Sequence, residues 1–127
     1  MNIEELRDYC LQKPGVEESF PFGETTLVFK VGGKIFLLAG LQEGNQFNAK
    51  CDPGRAVELR ELYEEVKPGY HMNKKHWNTV DMEGRLTLRQ LREIIDHSYE
   101  LVWKSLPKKM QQEINSSTSY NSSPPPI

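Results

Sequence analysis

Long apolar runs are missing from this chain of 127 residues. None approaches the roughly 20 residues that a helix needs to cross a bilayer, which excludes a membrane-spanning helix. The start, Met1-Asn2-Ile3-Glu4-Glu5, lacks a basic segment followed by an apolar one, so no signal peptide is expected. Cysteine is scarce. Cys10 and Cys51 stand in neither a CxxC nor a metal-ligand spacing, and two reduced thiols in a cytoplasmic protein are expected. Glycine-rich phosphate loops are also lacking: Gly32-Gly33 and Gly44 read as turn glycines, and without GxGxxG or a P-loop a nucleotide cofactor finds no support. Nor is there a basic excess. Sixteen Lys and Arg against 18 Asp and Glu give a net charge of −2, which argues against a wholly basic nucleic-acid binder but leaves room for a local patch.

What is present organises into one domain over residues 1–110 followed by a polar tail. Asn2 caps a first helix over about Ile3–Gln12, with Glu5 in capping-box register and Ile3, Leu6 and Cys10 on one stripe. Lys13-Pro14-Gly15 ends it. A connection from Val16 to Gly23 follows, and its Phe20 and Phe22 are expected to fold back onto the core. Thr25–Val31 and Lys34–Gly40 flank Gly32-Gly33, a strong hairpin signal that would pair Phe29 with Phe36 and Leu27 with Leu38. A third strand alternates over Gln46–Cys51.

Asp52-Pro53 starts a second helix, with Ala56, Leu59 and Tyr63 inward and Glu58, Glu61, Glu64 and Glu65 toward water, stopped by Lys67-Pro68-Gly69. A strand over Trp77–Met82 and a long amphipathic helix from the Thr87/Gln90 capping box to Trp103 complete the domain. Residues 111–127, rich in Gln, Asn, Ser and Thr and closing on Pro124-Pro125-Pro126, are expected to be disordered. The order α-βββ-α-β-α predicts an α+β sandwich with helices packed on an antiparallel sheet.

The densest chemistry lies between Tyr70 and Val80. Two histidines, two lysines, two aromatics and two asparagines share eleven positions with no acidic residue. Lys67, Lys74 and Lys75, with His71 and His76, have the character to neutralise phosphates. Tyr70 or Trp77 can stack on a base, and Asn73 and Asn78 can reach base edges or phosphates. Lys30 and Lys34 on the hairpin and Lys108 and Lys109 near the tail would extend such a patch. The bland alternative makes the aromatics core residues and the lysines a solvated rim. His71 and His76, five apart, share neither a helix face nor a strand side, so no metal is expected. His97 reads as a surface or groove residue. No nucleophile stands with a base and an orienting group, and Cys10 and Cys51 fall on apolar stripes, so no enzyme is expected.

Three stretches together resemble the MmcQ/YjbR-like family of small bacterial proteins: Pro14 to Gly23, Tyr70 to Val80, and Ser98 to Val102 with Leu106-Pro107-Lys108-Lys109. The resemblance covers roughly Ile3–Lys109. It implies a CyaY-like α/β sandwich and DNA binding through a double-wing arrangement of β-hairpins, with no catalytic residues and no cofactor. The leading expectation is a cytoplasmic, monomeric, non-enzymatic binding protein with DNA as partner. The alternative is a protein- or small-ligand-binding regulatory module whose groove lies between the sheet and the last helix, walled by Tyr99 or Trp103.

Overall fold

The computed structural model describes residues 1–42, 44–69 and 72–122, with side chains described as far as 116. Helix α1 (Ile3–Leu11) leads into β1 (Val16–Ser19), β2 (Thr26–Val31), β3 (Lys34–Gly40) and β4 (Gln46–Lys50). Then come α2 (Pro53–Leu62), β5 (Val66–Pro68), β6 (Trp77–Asp81), α3 (Leu88–Ser105) and α4 (Lys108–Ser122). Six strands form one antiparallel sheet in the order β1-β2-β3-β4-β6-β5. The α+β sandwich expected from the sequence is what forms.

Local chemistry sets the element starts. Asn2 Oδ1 accepts the Glu5 amide at 2.9 Å, Asp52 Oδ2 accepts that of Arg55 at 3.2 Å, and Thr87 with Gln90 closes both bonds of a capping box. Each cap satisfies amides that the first helical turn leaves without partners. The core then forms where α3 lies on β2, β3 and β4. Leu27, Phe29, Val31, Phe36, Leu37, Ala39, Phe47 and Ala49 of the sheet meet Leu91, Ile95, Tyr99 and Val102 of the helix. Phe36 is fully buried and meets Tyr99 edge-on at 5.4 Å, and Tyr99 stacks on Trp103 at 6.1 Å. Burying each such ring contributes roughly 2–3 kcal/mol. Ser98 Oγ donates to the Phe36 carbonyl and accepts the Lys50 amide at 2.8 Å, pinning the helix to the sheet. Sheet and helix are therefore in direct contact, and the expected groove between them, walled by Tyr99 or Trp103, is filled by core.

Several local expectations are corrected. Val16–Ser19 is a strand, and so is Val66–Pro68, while α2 stops at Leu62 instead of running to Lys67. These two strands are the sheet's edges, where one flank is unpaired and no apolar alternation is required; Pro68 costs no ladder bond there. Val31 pairs with Lys34 across the turn, but Phe29 faces Leu37 and Leu27 faces Ala39. A register shift beside Phe29 makes Phe36 the extra residue of β3, so that Leu38 leaves the core face and lies beside Val28.

Phe20 and Phe22 do not return to the core; they are 48% and 65% exposed. Glu65 does not face water: its side chain is 10% exposed, and its Oε2 accepts the Arg85 amide at 2.7 Å. Residues 111–122 continue α4 rather than starting a disordered tail, while 123–127 lie outside the described residues. Met110 and Ile114, one turn apart, pack on the core, and Gln111 Nε2 donates to the carbonyls of Trp103 (2.8 Å) and Leu106 (3.2 Å). Cys10 and Cys51 are buried thiols as expected, and burial pushes them up to about 12 and about 11 respectively.

Candidate nucleic-acid interface

Strand register fixes what shares each end of the sheet. Val16 pairs with Val31, Val31 with Lys34, Leu37 with Ala49, Lys50 with Trp77, and Pro68 with Asn78. The Gly32-Gly33 turn of the β2–β3 hairpin and residues 72–76 leading into β6 consequently lie at the same end. Lys34, Lys74 and Lys75 are exposed there, and Lys30, Lys50 and His76 are half-buried; Lys67, paired with Thr79 in mid-strand, is exposed instead beside Glu64, Glu65, Asp81 and Glu83. Lys108 and Lys109 open α4 beside the first hairpin, whose Gly32 lies against Leu106 and Met110. Lys34 Nζ reaches Ser105 Oγ at 3.3 Å. The opposite end carries Glu24, Glu64, Asp81 and Glu83, with Arg85 and Arg89 among them. A net charge of −2 thus hides a chain with a basic end.

Not every residue of the Tyr70–Val80 cluster joins this surface. Asn73 is exposed and its Oδ1 accepts the Lys75 amide at 2.9 Å, a turn that lifts Lys74 and Lys75 outward. Backbone bonds from the His76 amide to Asn73 O (3.1 Å) and from the Cys51 amide to His76 O (2.7 Å) tie the loop to the end of β4. Trp77, however, is only 8% exposed, and Asn78 only 1%. The Asn78 side chain faces α2, accepting from Arg60 Nε at 2.7 Å and donating to Ala56 O at 3.4 Å. Neither residue is available to stack on or read a base: Trp77 is the core aromatic of the bland reading, and the expected base or phosphate contact of Asn78 is replaced by contacts inside the protein. Tyr70 and His71 lie outside the described residues.

Sequence reasoning missed Arg60. Its Nε holds Asn78 and its Nη2 donates to the carbonyl of Lys74, so one guanidinium spans α2, β6 and the lysine loop. A planar fork of donors suits this double contact, and a point charge does not. No sequence signal marks it, because Arg60 sits among glutamates on a short, largely polar helix whose buried residue is Ala56. His97 is half-buried, and its Nε2 accepts the Asp52 amide at 3.1 Å, closing the β4–α2 junction. Burial, with Arg55 nearby, lowers its pKa and keeps the ring in the neutral form that can accept. Among the described residues no group of three His, Cys, Asp or Glu side chains is placed to hold a metal ion, and no helix is long and apolar enough to cross a membrane.

These features define a class: a small two-layer α+β protein with two lysine-bearing hairpins at one end of an antiparallel sheet. The YjbR family model matches residues 11–101, and the chain belongs to that family. It is 40% identical over 112 residues to the uncharacterised protein YbdF of Escherichia coli O157:H7, covering 87% of this chain and 92% of that one. It is 33% identical over 113 residues to the uncharacterised protein YjbR of E. coli K12, covering 88% and 96%. Among solved structures it is similar to Deinococcus radiodurans protein DR2400, of domain DUF419, with a TM-score of 0.84, 36% identity and coverage of 90% and 88%. A Pseudomonas syringae protein matches with a TM-score of 0.70 and 26% identity, covering 80% and 99%.

Proposed function

We propose that this chain is a non-enzymatic, cytoplasmic DNA-binding protein that grips the phosphate backbone with its basic end. The observation that carries the reading is the shared position of the two hairpins. Lys34 on one and Lys74 and Lys75 on the other are exposed at the same end of the sheet. Two projecting loops with cations can straddle adjacent phosphates, and each neutralised phosphate releases condensed counterions. With Trp77 and Asn78 inside the protein, direct reading of bases has little to work with. Binding that depends weakly on sequence is the chemistry this surface supports.

Fluorescence anisotropy with labelled duplex DNA at about 50 and 200 mM salt tests the reading, because the phosphate contribution changes most in that range. Saturable binding that falls steeply with salt is expected. Replacing Lys74 and Lys75 together by alanine should weaken it similarly on every sequence and flatten the salt slope by about two units. No binding at the lower salt, or an unchanged slope in the double variant, would reject the assignment.

A further inference from the structure

Three successive amides at the exit of β4 are each caught by a different acceptor. The Lys50 amide donates to Ser98 Oγ at 2.8 Å, the Cys51 amide to the His76 carbonyl at 2.7 Å, and the Asp52 amide to His97 Nε2 at 3.1 Å. Helix α3 thus clasps the chain on either side of Cys51, and the loop that carries Lys74 and Lys75 is tied to Cys51 itself. A hydroxyl and a carbonyl keep their lone pairs across the physiological pH range. An imidazole nitrogen does not. A proton on Nε2 removes the acceptor and sets an N–H against the Asp52 N–H.

The bond at stake reaches beyond its two partners. Asp52 is the cap of α2, its Oδ2 accepting the Arg55 amide and its carbonyl the Ala56 amide at 2.8 Å. The helix it starts carries Arg60, which donates to the Lys74 carbonyl and to Asn78 Oδ1. Two routes therefore join the junction to the lysine loop, one through Cys51 and His76 and one through α2. Charged groups face His97 from both helices. Burial is the largest influence on the ring and opposes a proton there, as do Arg55 of α2 and Lys104 of α3. Asp52 and Glu100 favour one, and the balance lies below the ordinary 6.5. Cys51, between the clasped amides, stays a neutral thiol, pushed up by burial to about 11. A charged His97 is drawn to the Asp52 carboxylate, which already holds the Arg55 amide, so protonation disturbs the cap as well.

We propose that His97 is a proton-sensitive latch: neutral, it holds the start of α2 to α3, and protonated, it releases that start and slackens the lysine loop. The closed junction disfavours the charged ring, which fixes the sign. The latch is complete above the ordinary imidazole range and weakens as pH falls through it, down to the lowered value of the closed state. A local charge change thus acts on an element whose far end touches the proposed interface. Resting on the DNA reading, acid loosens the seat of Lys74 and Lys75; the latch itself needs no DNA.

Amide hydrogen exchange on the full chain without DNA, at about pH 7.5 and about pH 5 to bracket the imidazole range, tests the latch once intrinsic rates are divided out. Protection of the Asp52, Arg55 and Ala56 amides should fall roughly 2–10-fold at the lower pH, the scale of one ordinary hydrogen bond. Residues 72–76 should lose protection with them. His97→Gln supplies a carboxamide oxygen that accepts without titrating, and its protection should be the same at both pH values. His76→Gln, which removes an imidazole of the lysine loop, should leave the response in place. If His97→Gln does not fold, NMR titration of the wild-type chain decides: the His97 ring and the Asp52 amide must shift with one pKa, below the ordinary range. Wild-type protection indifferent to pH, an equal fall in His97→Gln, or a response lost with His76→Gln overturns the proposal. A start of α2 that loosens while residues 72–76 do not overturns the transmission to the loop. None of these readings uses DNA, so failure of the latch and failure of the DNA reading are seen separately.

Discussion

At the scale of single residues, the basic loop is held by groups that never touch a partner. Asn78 is buried, and its amide satisfies Arg60 on one side and the Ala56 carbonyl on the other. Truncating it to alanine leaves the guanidinium Nε without its acceptor and opens a void in the β6–α2 contact. Hydrogen bonds to charged groups contribute about 1.5–3 kcal/mol, so Asn78→Ala should lower unfolding free energy by roughly 2–3 kcal/mol in urea titration. Arg60→Lys should cost less stability, since Arg60 is only half-buried. One ammonium cannot serve both Asn78 and the Lys74 carbonyl, however, and amide hydrogen exchange over residues 72–76 should quicken. Asn78 in the sequence reads as a hydrogen-bonding residue near the start of a strand, able to reach a base edge or phosphate. Its inward direction follows from β6 pairing and from α2 above it, neither of which the local residues encode.

At the scale of elements, the parts legible in the sequence were those whose ends and periods are chemical. The Asn2, Asp52 and Thr87 caps, the Gly32-Gly33 turn and the 3–4 spacing of α3 each need only near neighbours, and each is realised. The parts that were not legible depend on distant partners. Edge strands β1 and β5 are short and polar and exist because β2 and β6 offer them ladders. Helix α4 is polar too, and is fixed where Met110 and Ile114 find two glycines that allow close approach. At Gly15 (φ +71°) an added Cβ would come within 2.6 Å of Ile114, and at Gly32 (φ +58°) within 2.7 Å of Leu106 and Met110.

The hairpin turn separates the two costs of such a site. Gly33 (φ +79°) has nothing within 4 Å of an added Cβ, so Gly33→Ala should lose only the left-handed backbone penalty of about 1–2 kcal/mol. Gly32→Ala adds a collision with core atoms, and overpacking brings a further ~1–3 kcal/mol. Denaturant titration of the two variants should therefore show Gly32→Ala the more damaging. Equal losses would mean that α4 does not press on the turn.

At the scale of the whole molecule, the distribution of charge carries the proposed function, and composition conceals it. The loop lysines were visible as a cluster in the sequence, and the hairpin lysines only as a separate pair. That they share one end follows from strand registers that no local pattern contains. A polarised molecule and a merely charged one differ in a measurable way. Lys74→Glu/Lys75→Glu and Arg85→Glu/Arg89→Glu change the net charge equally, the first pair at the hairpin end and the second among the opposite acids, where Arg85 and Arg89 are exposed. If phosphates are held by the hairpins, charge reversal of the lysines should abolish DNA binding at about 50 mM salt, because those contacts become repulsive. Reversal of the arginines should leave affinity within about threefold, since exposed charges at the far end of the sheet, beyond a Debye length of about 14 Å at that salt, are largely screened from the phosphates. Equal losses in the two variants would show that net charge alone governs binding, and that the hairpin end has no special claim on nucleic acid.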